Sequence, residues 1–430
     1  MKDIARYALE SLLKAGADKA DCRVSQNRED EFNVEAGEFS LLRTVLSDRL
    51  SLMAIKDRKK GEIRTNRLDR ESVDRAVADC LALAEAAVPD DALDIAPKAE
   101  NRHFDRRIEG HDMGRLFSRA KEFVERVRDD FPKITIRGMT CDFNSGKNLF
   151  LNSNGVEFGS ETEYYRMGAG FSALDGGKVS SFFGYGSLLR SLELPFMEIG
   201  LQRKSLEEAQ ASTDPGTVDG KFVGKMIVTP LCEDLIWRTM LRCFLGTGCL
   251  IDGTSRWKDS LGTPVADPKL TFGTSPRHPL IVAGEPYTED GFESRDETFV
   301  KEGILNSFAL SLYGSNKTGK PRSGNTALGN LEVAAGETPL ARMIEGIDRG
   351  ILLNRFSGGT PNANGDVSGI AKNSFLIEGG KITCALKETM IAFNLAEALR
   401  NIPAISRERA CDGSSLLPWC CFDGITISGK

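Results

Sequence analysis

Histidine is almost missing from this sequence, with three residues in 430. That scarcity leaves little material for a histidine-rich zinc centre and few candidates for a Ser–His–acid triad. No H-E-x-x-H occurs, nor any two histidines within a helical turn or two. Long apolar runs are also lacking, and none approaches the roughly 18–20 residues that a membrane-spanning helix needs. The first residues, MKDIARYALESLLKAG, carry charges throughout and show neither the apolar stretch nor the small-residue cleavage site of a signal peptide. A cytoplasmic chain is expected. A basic excess is absent, since Lys plus Arg is 56 against 62 Asp plus Glu, a net charge of -6. That balance argues against a protein built around direct nucleic-acid contact. Aromatic residues make up only 7%.

Ten cysteines are present, but no two form a C-x-x-C pair and none stands in a zinc-knuckle spacing with histidine. Reduced thiols acting as small buried hydrophobes are expected. Glycine, 43 residues, is somewhat above the average of about 7% and favours a strand-and-turn-rich globular chain. The length suggests about two or three domains.

The first half reads as mixed α and β. Ile4, Ala5, Ala8, Leu12 and Ala15 make an apolar stripe that predicts a helix stopped by Gly16. Strands are expected at 20–26 and 49–57. A second helix begins after Asp69, its N-cap, and runs through Val73, Val77 and Leu81. A third runs from Met113 through Leu116, Ala120, Phe123 and Val127 to before Pro132. Asn154-Gly155 between strand-like runs predicts a hairpin. A further helix is expected over 195–212. The turn formers at 212–221 mark the linker, dividing the chain into an N-terminal α+β domain, 1–218, and a β-rich C-terminal domain with long loops, 219–430. The second half opens on a helix with Thr229 as N-cap and Pro230 at its first position. A short helix over 394–400 precedes the tail. The fold class is therefore α+β.

Familiar chemistry is mostly not found. There is no phosphate-binding loop, and the glycines of 168–177 lack the strand–helix context of a dinucleotide fingerprint, so they read as a turn. GYGSLLR at 184–190 lacks the second glycine of a nucleophile elbow. His103, His111 and His278 lie in polar stretches and read as solvated imidazoles. The pairs Glu207–Glu208 and Asp129–Asp130 read as solvated helix faces.

Several segments in order are distinctive. GADKADCRVS and DRLSLMAIKDRKKGEIRTNRLDRESVDRAVADCLALAEAA stand in the first half, and RFSGGTPNANGDVSGIAKNSFLIEGGKIT, MIAFNLAEALRNI and PWCCFDGITISG in the second. Together they resemble the TldD/PmbA family, known also for modulation of DNA gyrase, and its PmbA/TldE branch in particular. The resemblance implies a cytoplasmic two-chain metallopeptidase system acting on unfolded or modified peptides. In it a TldD-type zinc peptidase chain pairs with a non-identical PmbA/TldE partner. The active branch carries His-Glu-x-x-x-His on a helix, with a third zinc ligand from a cysteine near the C-terminus. Aligned on SRWKDSLGTPVADP, the equivalent window here is 238–243. It places Arg238 and Cys243 at the two histidine positions and Thr239 at the glutamate, with Cys411 near the third ligand's place. A cation does not ligate zinc, and threonine has no carboxylate to activate water. The resemblance therefore implies a subunit with no catalytic residue, metal or cofactor of its own, and a homodimer when alone. Two alternatives stay open. One is an independent thiol-dependent hydrolase, disfavoured because no histidine is placed to activate Cys232, Cys243 or Cys411. The other is a peptide-binding or regulatory module linked to DNA gyrase modulation.

Overall fold

The computed structural model describes residues 1–326 and 329–429 of the chain. The protein is α+β, with 24% helix and 42% strand. Helix α1 (Lys2–Lys14) leads into an eight-stranded sheet made of β1 (Lys19–Glu35), β2 (Glu38–Lys56), β3 (Lys59–Thr65), β4 (Arg102–Arg106), β5 (Ile134–Asn152), β6 (Glu157–Asp175), β7 (Lys178–Val179) and β8 (Phe183–Leu189). Its main order is β3-β2-β1-β5-β6-β4, and β7 and β8 pair with β6. The hairpin expected at Asn154-Gly155 joins β5 to β6 in antiparallel register. The strands expected at 20–26 and 49–57 belong to β1 and β2, which are far longer because they pair with each other from Lys19 to Glu35 while β1 pairs with β5 on its other edge.

Alternation along β1 explains the layering. Cys22, Val24, Phe32 and Val34 are buried on one face, while Arg23, Asn27, Glu29 and Glu31 project from the other. Helices α1 and α2 (Arg70–Ala86) cover one end of the apolar face, against Leu50, Leu52 and Ala54. Helix α3 (Met113–Asp130) covers the other end with Leu116, Phe123 and Val127. The α2 N-cap is as expected, with Asp69 accepting from the Ser72 N–H at 2.9 Å, a bond type worth about 1 kcal/mol. Gly61 on β3 is required by the close approach of α2, because a Cβ there would lie 1.9 Å from the Cys80 carbonyl.

Strand β9 (Lys221–Val228) begins the second sheet, whose eleven strands form a β-barrel domain. There β9 lies between the strands Arg349–Gly358, in parallel, and Leu416–Ser428, antiparallel. Its core gathers Met226, Ile236, Phe244, Phe272, Phe299 and Phe422, all completely buried. Long loops fill 253–271 and 275–296, as the Gly, Pro and Ser punctuation suggests.

Three local expectations are corrected. The helix over 195–212 is broken into a 3-10 turn, Phe196–Glu198, and α4 (Gln202–Ala211), because Gly200 adopts a left-handed φ of 49° between them. Residues 168–175 are strand rather than turn. Only Gly176 and Gly177 turn, while Gly170 gives the Phe182 ring room to lie on the sheet. Glu208 is not a solvated helix charge. Its side chain is 12% exposed, accepts from Asn354 Nδ2 at 2.8 Å, and is pushed up to about 7 by burial.

That last shift has a sign. The folded chain binds more protons than the unfolded chain between the ordinary carboxyl value near 4.3 and about 7, so Glu208 makes stability fall as pH rises through that window. We expect Glu208→Gln to unfold in urea like the parent at pH 4 and to be about 2 kcal/mol more stable at pH 8. A variant no more stable than the parent at pH 8 would contradict the buried-carboxyl assignment.

Candidate functional site

The helix expected after Thr229 is present but not regular. It consists of a 3-10 turn, Pro230–Cys232, and two π-wound segments, Asp234–Arg238 and Leu241–Leu245. The Thr229 hydroxyl makes no capping bond. Winding widens because i→i+5 bonds close the turns: Thr239 N–H donates to Asp234 O, and Gly246 N–H donates to Leu241 O at 2.7 Å. Gly246 suits that closure, since a Cβ would lie 2.9 Å from the Leu241 carbonyl. Apolar packing holds the segment despite the irregular winding. Ile236, Met240, Phe244 and Leu245 are wholly buried, and Trp237 stacks on Phe272 at 5.4 Å.

The polar side of this segment separates two hollows. One, about 920 Å³, lies between Asp234, Arg238 and Thr239 and the end of the strand Arg349–Gly358 with the loop residues 359–361. The other, about 810 Å³, lies between Leu241 and Arg242 and the uncovered face of the first sheet. Arg238 and Arg242 border both. The Arg238 guanidinium is held by Glu233 through Nε at 2.9 Å and Nη2 at 2.7 Å, and by Asp234 at 3.0 Å. Thr239, 1% exposed, donates its hydroxyl to Asp234 O at 3.0 Å and accepts from Arg242 Nη2 at 3.1 Å. The buried Cys243 thiol donates to Asn362 O at 3.5 Å, and burial raises its pKa against the opposing charge of Arg242.

Cys411 ends the strand Ala404–Cys411. It donates to Leu280 O at 3.4 Å and accepts from Gly413 N–H at 3.3 Å. Burial raises its pKa as well, and the other groups acting on it are Gly413, Asp412 and Arg409, none an imidazole. Thus Arg238, Thr239 and Cys243 share one helix, while Cys411 and Cys243 engage different carbonyls.

These residues do not fit zinc. One is a cation already in ion pairs, one a hydroxyl bound to a carbonyl, and two are thiols held in their protonated form, whereas zinc takes thiolate. Among the described residues no three His, Cys, Asp or Glu side chains gather into a metal-holding group. Of the histidines, His103 is 58% exposed, His111 stacks on Phe143 at 4.3 Å, and His278 accepts from the Leu280 N–H. Sequence reasoning missed Glu233 and Asp234 as the anchors of Arg238. Glu233 at i−5 meets Arg238 only on a π-wound turn, and a regular helix gives no such signal. We expect elemental analysis of the chain purified without chelator to find zinc far below one equivalent. One equivalent of zinc, lost in Cys243→Ser or Cys411→Ser, would overturn that.

Comparison with known proteins adds the lineage. Residues 225–429 match the PmbA/TldA metallopeptidase C-terminal domain. Metalloprotease PmbA of Escherichia coli O157:H7 is 22% identical over 97% of this chain and 95% of its own length. A metalloprotease PmbA homolog of Haemophilus influenzae is 24% identical over the whole chain and 96% of its own. The TldE structure from Thermococcus kodakarensis superposes with a TM-score of 0.84 at 19% identity, covering all of both chains. A candidate modulator of DNA gyrase from Bacteroides thetaiotaomicron superposes with a TM-score of 0.83 at 21% identity, covering all of this chain and 99% of that one.

Proposed function

The chain belongs to the PmbA/TldD metallopeptidase family as a PmbA/TldE-like member, and from that premise we propose that it is the non-catalytic subunit of a two-chain peptidase. In this reading it pairs with a TldD-type zinc chain in the cytoplasm and supplies wall and groove for unfolded or modified peptides. It forms a homodimer when the partner is missing. The same proposal divides the chain into working units at 218/219, with the irregular helix opening the second.

The observation that carries the reading is the Arg238 guanidinium clamped by Glu233 and Asp234, at the position that the resemblance assigns to a metal ligand of the active branch. Peptide hydrolysis by a metallopeptidase needs a polarising metal and a carboxylate that activates water. An ion-paired guanidinium beside a buried threonine does neither. A cysteine nucleophile is disfavoured on the same helix, because Cys243 is buried, protonated and bonded to a carbonyl.

The test is reconstitution. The purified chain alone should not hydrolyse reduced, carboxymethylated protein. Activity should appear when a TldD-type chain from the same organism is added, and be lost on EDTA or on replacing that chain's first zinc-binding histidine. Arg238→Ala here should change the pair's rate only modestly. Hydrolysis by this chain alone, unaffected by EDTA, would sink the reading and put a thiol-dependent hydrolase in its place.

A further inference from the structure

The 810 Å³ hollow is built from charges that are mostly spent and a few that are not. Its floor is the uncovered face of β1, β2 and β3, where Asp21, Met53 and Glu62 stand in one cross-strand row and Ile55 and Lys60 in the next. Leu93 and Ile95 pack beside Met53 and Ile55, giving an apolar wall that Leu241 meets from above. Glu62 is taken by Lys60 at 2.9 Å, Arg64 at 3.3 Å and Arg23 at 3.4 Å. Asp290 accepts from the Thr288 hydroxyl and the Leu312 N–H with its two oxygens.

Two guanidiniums differ. Arg242 donates to the Thr239 hydroxyl, and Arg322 lies flat on the Phe292 ring at 3.8 Å. Neither has an ion pair within 4 Å among the described residues, although Arg322 is half-buried and its charged form is penalised by desolvation, which the more distant charges of Asp290, Glu297 and Glu285 oppose. A desolvated guanidinium is stabilised by a carboxylate, which its planar fork binds through two parallel hydrogen bonds. On the floor, Asp21 is 5% exposed, and its Oδ1 faces Arg23 Nε in an ion pair at 3.5 Å without accepting a hydrogen bond. Burial pushes that carboxyl up to about 7 against the opposing charge of Arg23. The hollow thus offers an anion receptor, an apolar wall and an acceptor wanting an N–H, in a volume typical of small-molecule sites.

We propose that this cavity binds the carboxy-terminal end of a short peptide, with its carboxylate on Arg242 and Arg322, its terminal apolar side chain against Met53, Ile55 and Leu241, and a backbone N–H on Asp21. An aliphatic acid supplies the anion and the apolar body but no N–H, and inorganic phosphate supplies the anion alone. The inference names which part of a peptide this subunit grips, and it holds for the chain by itself, whether or not a peptidase partner exists.

Calorimetric titration of the chain alone separates these sources. N-acetyl-leucyl-leucine should bind, with its carboxy-terminal amide and octanoate each at least about 10-fold weaker, the scale of losing a charge-assisted pair or a buried hydrogen bond. Arg322→Gln should weaken the acid by about 10-fold and leave the amide unchanged. Arg242, exposed on the helix, gives a second variant, Arg242→Gln, that keeps the test valid should Arg322→Gln fail to fold. Equal binding of acid and amide, wild-type affinity in the arginine variants, phosphate binding more tightly than the peptide, or no binding at millimolar concentration would each overturn the proposal.

Discussion

Strand parity in the first sheet is the constraint on which the rest of the structure depends. A strand that alternates Cys22, Val24 with Asp21, Arg23 commits one face to the helix-covered core and turns its charges to the other. The apolar face is closed by α1, α2 and α3, which is why the first half must interleave helices among its strands. No helix of the first half covers the other face; at one end residues 93–96, Tyr287 and Phe292 bury Phe150, Phe158, Met53 and Ile55 on it, and the irregular helix and the loop carrying Asp290 lie over the adjoining hollow. The hollow there is therefore a product of strand parity. Moving β1 by one residue would place Val24 and Phe32 on the open face and bury Arg23 and Glu31 beneath the helices, an exchange that no rearrangement of loops could offset.

Much of this was legible. The apolar spacing of α1, α2 and α3, the Asp69 cap and the hairpin at Asn154-Gly155 are local signals, and local hydrogen bonds answer them. The β-rich second half followed from turn residues crowding short apolar runs. Three of the failures share a cause, since each depends on a distant partner. Glu208 sits on a helix whose sequence neighbours are polar, yet Asn354, 146 positions away, defines its surroundings. Gly168 and Gly170 look like turn residues until β8 and the Phe182 ring are seen to require a flat strand there. Asp21 was invisible as a site residue for the same reason, because its neighbours across the sheet and across the hollow come from six other stretches of chain, at 53–64, 93–95, 238–247, 289–290, 309–313 and 322–326.

At the irregular helix, electrostatics and packing pull in different directions. Buried aromatics fix the segment, so its backbone path tolerates loss of helical regularity at small cost to the core. The ion pairs of Arg238 then use what the packing leaves. Their partners come from Glu233 and Asp234, both upstream on the same segment, so the clamp forms as the segment winds and does not wait for tertiary contacts.

The widened winding also governs direction. Successive residues of a regular helix turn by about 100°, and each i→i+5 closure houses one residue more than an i→i+4 closure. The two wide turns at 234–238 and 241–245 act as phase shifters inserted into a fixed apolar stripe. Everything downstream is rotated relative to everything upstream while Trp237 and Phe244 stay in the core. A one-residue deletion between them could restore regular winding and preserve the core, and would still swing Arg242 away from the first sheet. In this fold the length of a short segment, as much as its composition, encodes which hollow a charge addresses.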